Sequence, residues 1–369
     1  MKHRKVALVL ALVFAGVAVL VSQRQAAPQA PIVWKVQTMS TPVMLLHKAA
    51  VQIGERVKEM SGGRLVFEVF PAGTVVGAFE NMDAVNKGVI DAAHSWPGYW
   101  MGKTTAAALF AGAPGGPFGM RIEDYIAWIY GGGGQDLYTE LVQKDMKMTD
   151  VVPLLTMNSF AEPLGWFRKP ITSLKDLRGM KMRTSGLGSD LMKEMGVAAV
   201  ALPGGEIVPA LERGVVDAVE WTSPASDIPM GFHTVAKYLI MPSIRQPLVA
   251  NEFLMNRKKW EALPADLKAI VRNAVLSQIP ISIAAEYMES AAVFADLGPK
   301  YGVKVLRTPE DVLEAEVKAA EKVLEAHAQK NPSFARILKH QREFAAKVTA
   351  YTDAIRPPFS KMVKHYSKK

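Results

Sequence analysis

The sequence predicts an α/β protein built as two lobes. Three observations carry this. The chain has 369 residues, more than a single hydrophobic core usually serves. Between residues 32 and 94 its apolar runs follow the order strand, helix, strand, helix, strand. The same order returns between residues 180 and 220. Strands that alternate with short helices imply right-handed crossovers and parallel pairing, so each stretch would form one βαβαβ unit.

Taken in order, residues 32–39 alternate as a first strand, and residues 43–60 are amphipathic up to Ser61-Gly62-Gly63. Residues 65–70 form a second strand, 79–87 a helix stopped by Gly88, and 89–94 a third strand. Residues 125–130 and 135–144 read as helices around the glycine run 131–134. Residues 151–157 read as a strand crossing between lobes, and 165–168 as an extended run. In the second unit, strand 180–184 leads through a glycine-bearing loop to helix 189–195. Strand 198–202, helix 206–213 and strand 215–220 follow. Residues 242–247 and 250–256 would return to the first lobe. Two amphipathic helices are predicted at 264–278 and 281–297, and two more at 312–327 and 334–355.

Hydrophobic residues at 49% and charged residues at 21% describe a globular chain. The first 30 residues join a basic start to an apolar run over 6–21 and then to Ala26, Ala27 and Ala30, the pattern of a secretory signal peptide. That segment holds Lys2, Arg4, Lys5 and Arg24 and no acidic residue, so its removal takes the formal charge from +9 to +5. The remaining excess lacks the concentrated basic stripe of a nucleic-acid binder, and it suits anionic small molecules. With 0 cysteines, disulfides and thiolate metal sites are excluded.

Several motifs fail on inspection. Gly102-Lys103-Thr104 lacks the leading glycine of a phosphate loop, that position being Pro97. The glycines 131–134 suit a hinge or a tight helix entry better than an anion cradle. Asp91, His94 and Ser95 supply triad residue types, but strand neighbours point to opposite faces. The stronger constellation is Asn158, Glu162, Arg183, Glu220 and Trp221. Arg183 and the pair Glu220-Trp221 fall at carboxyl ends of parallel strands, where open α/β sheets bind ligands. Taken singly, Arg183 is also compatible with the surface, Glu220 with a strand cap and Trp221 with the core. Together, an arginine fork suits a carboxylate, and oxygen ligands suit a hard cation such as calcium. Binding explains the set without a base or a nucleophile.

The segments MSGGRLVFEVFPAGTVVGAFE, AAHSWPGYWMGK, IEDYIAWIYGGGGQDLY, GWFRKPI, LRGMKMR and GGEIVPALERGVVDAVEW resemble the extracytoplasmic solute-binding proteins of TRAP transporters. Within them the chain is similar to the subgroup that binds 2-oxo acids and lactate. The resemblance covers nearly all of the chain after its leader. It implies a fold like type II periplasmic binding proteins, with two α/β lobes joined by crossing strands and a long hinge helix, plus C-terminal helices. The implied divisions are a signal peptide (1–30), lobe I (31–155), lobe II (156–248), a return to lobe I with hinge helices (249–308), and a helical dimerisation segment (309–369).

The same resemblance assigns residues. Arg183 would pair with the substrate carboxylate, and Asn158 would be a polar position of the substrate site. Glu220 would bind the metal through its carboxylate and Trp221 through its backbone carbonyl. Trp96 and Tyr99 would line the opposite wall. Glu162 departs from a neutral glutamine in the family, and the stretches ASDIPMGF and SIRQPLVANEF depart as well. Counting Glu162 and Glu220 as −2, a monocarboxylate as −1 and Arg183 as +1 leaves −2, which favours calcium over sodium. Glu162 could instead turn to a cation such as Arg168, or meet a group of the ligand. The implied function is a periplasmic receptor that carries a small organic monocarboxylate such as pyruvate or lactate to membrane permease subunits, as a homodimer with no nucleic-acid partner. The alternative is a secreted metal-dependent enzyme acting on a small carboxylic acid.

Overall fold

The computed structural model describes residues 30–112 and 118–367, with the backbone alone at 158–160. The signal segment, part of the loop 112–119 and the last two lysines lie outside the described residues.

Two mixed sheets form the two lobes. The first has five strands in the order β2-β1-β3-β10-β4. These are β1 (Ile32–Thr38), β2 (Leu65–Phe70), β3 (Ala92–Ser95), β4 (Val151–Phe160) and β10 (Leu248–Asn256). Both β2 and β3 run parallel to β1, as the βαβαβ order predicted. The crossing strands β4 and β10 pair antiparallel, and β10 also closes on β3. Every residue of β10 is buried. Its alternate side chains serve two cores, Phe253 and Met255 on one face and Ala250 and Leu254 on the other.

The second sheet has six strands in the order β11-β9-β5-β8-β6-β7. They are β5 (Gly165–Phe167), β6 (Lys181–Arg183), β7 (Ala198–Val200), β8 (Ala218–Val219), β9 (Tyr238–Met241) and β11 (Lys304–Arg307). Here β7 and β8 flank β6 in parallel, again as predicted. The predicted strand 215–220 shrinks to β8, because Val215 is exposed and only Ala218 and Val219 pair. Strands β9 and β11 escaped prediction. The exposed β11 carries only a short, charged pattern that sequence alone does not separate from loop.

The two helices predicted at 264–278 and 281–297 are one, Ala265–Asp296, running through Pro280. An interior proline removes a hydrogen bond and costs about 3 kcal/mol. Burial of Val271, Val275 and Ile279 around that point offsets the loss. The helix begins on the first lobe's core, and the residue after it, Leu297, is buried in the second's, which makes it the long helix linking the lobes.

The helix Glu310–Lys330 buries Val312 and Ala319 against the second lobe and Leu324 against the first. Asn331 then caps the helix Pro332–Ile355 by accepting from the Phe334 N–H at 3.1 Å. That helix packs Phe334, Ile337 and Leu338 into the first lobe. A last helix, Phe359–Tyr366, had not been predicted. Among the described residues, no helix is long and apolar enough to cross a membrane.

Candidate functional site: a buried four-charge cleft

Two strand ends and two crossing segments converge between the lobes. Arg183 is the last residue of β6, and Glu220 follows β8 directly. Because β6 and β8 are parallel with Arg183 opposite Val219, both side chains reach the same edge. Glu162 lies where the chain leaves β4, and Arg245 where it returns toward β10. All four are buried, with exposures of 1% for Arg183, 2% for Glu220, 7% for Glu162 and 2% for Arg245. Buried charges persist only when paired, and these four form one chain of contacts.

Glu220 Oε1 accepts from Arg183 Nη1 and from the Ser185 backbone N–H, both at 3.1 Å. Its other oxygen lies 3.1 Å from Arg245 Nη2. The same Nη2 donates to Glu162 Oε2 at 2.6 Å. Burial pushes the Glu162 carboxyl well above the usual range, against the pull of Arg245 and with a further push from Glu220.

The Arg183 guanidinium lies over the Trp221 ring, 4.5 Å from its centroid. Its Nε and Nη2 donate to the Leu202 carbonyl at 3.0 and 2.9 Å, and Nη1 also donates to the Glu220 carbonyl at 3.1 Å. Of five guanidinium protons, one is left for a ligand. A bidentate grip on a ligand carboxylate therefore requires Arg183 to release a bond within the chain.

The facing wall is aromatic. Trp96 and Tyr99 meet edge to face at 5.4 Å, and Trp96 donates to the Ala111 carbonyl at 3.3 Å. Gly186, at the start of helix Leu187–Glu194, brings the lobes together here. Its φ is +60°, and a Cβ on it would lie 2.7 Å from the Trp96 ring. Only glycine meets both demands without strain.

A cavity lies between the walls. Glu162, Arg183, Glu220, Trp221, Trp96 and Tyr99 all line it, so the structure brings together every predicted site residue whose side chain is described. Asn158 lies in β4, its side chain outside the described residues. Sequence reasoning missed Arg245, Gln246 and Asn251, which also line the cavity. The one signal was the departure of SIRQPLVANEF from the expected pattern. Arg245 Nε, Trp221 Nε1, Thr222 Oγ1 and Asn251 Oδ1 are buried without a hydrogen-bond partner among the described residues. Such atoms at a cavity wall suit a polar ligand.

The alternative partner for Glu162, Arg168, is exposed; Glu162 pairs with Arg245 instead. The triad types do not assemble, since Asp91 accepts from the Lys35 N–H at 2.8 Å and pairs with Lys259 at 3.1 Å. Burial lowers the pKa of His94 to about 4.

Comparison with known proteins shows the family of the chain. The profile of the DctP family, described as bacterial extracellular solute-binding protein family 7, matches residues 37–364. The chain belongs to this family. It is 30% identical over 320 residues to a monocarboxylate 2-oxoacid-binding periplasmic protein of Nostoc sp., covering 86% of this chain and 85% of that one. A TRAP transporter solute-binding protein of Bordetella bronchiseptica superposes with a TM-score of 0.84 at 28% identity, covering 92% of this chain and 98% of that one. It is a mixed-occupancy dimer with copurified calcium and picolinate in one active site. A TRAP periplasmic solute-binding protein of Pseudoalteromonas atlantica superposes with a TM-score of 0.81 at 30% identity, covering 88% and 97%, and holds sodium and pyruvate. This chain is thus a TRAP solute receptor of extracytoplasmic type, with the two-lobed fold of these proteins. Such receptors bind small organic acids and work with a membrane permease.

Proposed function

We propose that this receptor binds a small organic monocarboxylate of the pyruvate or 2-hydroxy-acid class in the cleft between Arg183 and Trp96, and delivers it to the permease. The observation that carries this reading is the buried set of Arg183, Arg245, Glu220 and Glu162 around one cavity between the lobes. Arg183 would give up one chain contact to hold the carboxylate, with Asn158 and Glu162 as polar neighbours and Trp96, Tyr99 and Trp221 covering the apolar part. The nature of the acids held by the two solved neighbours supports the class. The enzyme alternative needs a free base, and both cleft carboxylates are engaged by arginines.

If a metal ion accompanies the acid, Glu220, Glu162 and the Trp221 carbonyl are its donors. The count that favours calcium over sodium omitted Arg245. With that charge included, the preference for a divalent ion disappears.

We further assign residues 1–30 to a signal peptide for periplasmic export, residues 31–155 to lobe I and 156–248 to lobe II. Residues 249–308 form the return with the hinge helix, and residues 309–369 a dimerisation segment. Exposed Tyr351, Ile355, Phe359, Met362, Val363 and Tyr366 on the last two helices support a homodimer formed there.

Thermal melting against a panel of 2-oxo and 2-hydroxy acids, with mass spectrometry of ligand retained through purification, tests the reading. A stabilising monocarboxylate supports it, and a panel without effect together with a retained ligand of another class defeats it.

A further inference from the structure

We infer that the Arg245 guanidinium is the resident cation of this cleft and takes the place of the metal ion that accompanies the acid in related receptors. This rests on reading the cleft as an organic-acid site. A calcium ion shared by Glu162 and Glu220 would lie about 2.3–2.6 Å from an oxygen of each. Arg245 Nη2 already stands 2.6 Å from Glu162 Oε2 and 3.1 Å from Glu220 Oε2. Two cations do not share that point, so these residues as they stand do not fit a metal bridging both carboxylates.

The fixture is built to stay. Arg245 is 2% exposed, and its backbone N–H donates to Ser243 Oγ at 3.0 Å. Ser243 in turn donates to the buried Glu316 at 2.5 Å. Gly188 leaves room for the guanidinium, since a Cβ there would lie 3.2 Å from Nη1. Before an acid enters, Arg183 and Arg245 balance Glu162 and Glu220. Arg245 also keeps its buried Nε–H without a partner among the described residues, and that donor can turn to an acid's carboxylate, the part an ion would otherwise play.

The test uses the full exported chain purified without added metal. Calorimetry follows calcium alone, and then pyruvate in chelator, in calcium, and in sodium or choline salts. The expected result is no stoichiometric calcium by elemental analysis, no saturable calcium binding, and a pyruvate affinity that changes less than about twofold among these buffers. Arg245→Gln, which opens the space between the carboxylates, should gain calcium binding. Copurified calcium, saturable calcium binding by the natural chain, or pyruvate affinity rising about tenfold with calcium or sodium overturns the inference. A folded Arg245→Gln chain that takes no calcium overturns it as well; if that variant does not fold, the natural chain's own titrations decide. If pyruvate binds in no buffer, the ligand class is wrong, and the calcium-alone titrations still judge Arg245.

Discussion

The second lobe and the crossing segments bring four charged side chains to the cleft, whereas the first lobe brings Trp96, Tyr99, Met39 and Leu46. The charged wall is held by bonds between its own members, with Glu220 touching both arginines. The aromatic wall is held by ring packing and by one indole bond to a backbone carbonyl. The difference is one of tolerance. Apolar contacts lose energy gradually when trimmed, while a buried charge stripped of its partner loses its whole compensation at once. One wall would therefore choose the acid, and the other would cover it.

The largest expected effect follows from breaking the charged wall at its centre. Glu220→Ala leaves Arg183 and Arg245 buried against a missing carboxylate and should destabilise the receptor by about 3–5 kcal/mol in denaturant unfolding. A loss below about 1 kcal/mol would mean that the two guanidinium groups find water or other partners, and that the walls differ less than their contacts suggest.

Beneath the aromatic wall lies a carboxyl with a different fate. Glu252 on β10 accepts from Trp100 Nε1 at 2.5 Å and from the Tyr138 hydroxyl. Burial raises its pKa from 4.5 to about 7, although those two bonds oppose the rise. Because the folded value exceeds the unfolded one, the stabilisation is full below the unfolded pKa and is lost as pH rises through about 7. Its size is roughly 3 kcal/mol. Unfolding free energies measured from about pH 4 to about pH 8 should fall along this range, and Glu252→Gln should remove that part of the slope. An unchanged slope in the variant would assign the pH dependence to other groups.

Smaller effects sharpen the contrast at the ligand. Arg183→Lys replaces a planar fork by a point charge and also gives up the bonds to Leu202. Calorimetry should record an organic-acid affinity weaker by about tenfold or more, or ~1.4 kcal/mol. Gly186→Ala places a Cβ against Trp96 and an alanine at φ +60°. It should cost about 1 kcal/mol of stability and a few-fold in affinity, because the aromatic wall must yield to let the lobes meet. Equal affinity in Gly186→Ala would place the contact between lobes outside the binding step.

Much of this was legible in the sequence where local rules apply. Glycine stops and alternating runs located β1, β2, β3, β6 and β7, and with them the strand end that carries Arg183. Legibility failed where tertiary burial overrides local signals. Pro280 looked like a break, yet packing of the residues around it into the first lobe's cores holds the helix through it. Strand β11 forms by pairing with β9, a partner far off in sequence. Arg245 is the instructive loss. It lies 83 residues from Glu162 and belongs to no periodic element, so no spacing ties the two. Only the fold brings them together, and with that one residue the charge count of the site changes.

The most direct measurement is a calorimetric titration of the purified receptor with pyruvate and with its uncharged methyl ester. The two differ in the carboxylate and share the keto group and the methyl end. Stoichiometric binding of pyruvate, with the ester weaker by about a hundredfold or more, is the expected result, because a site built around buried charges rejects an analogue that leaves them unanswered. Equal affinity for the two, or binding of the ester alone, would contradict recognition through the charged wall.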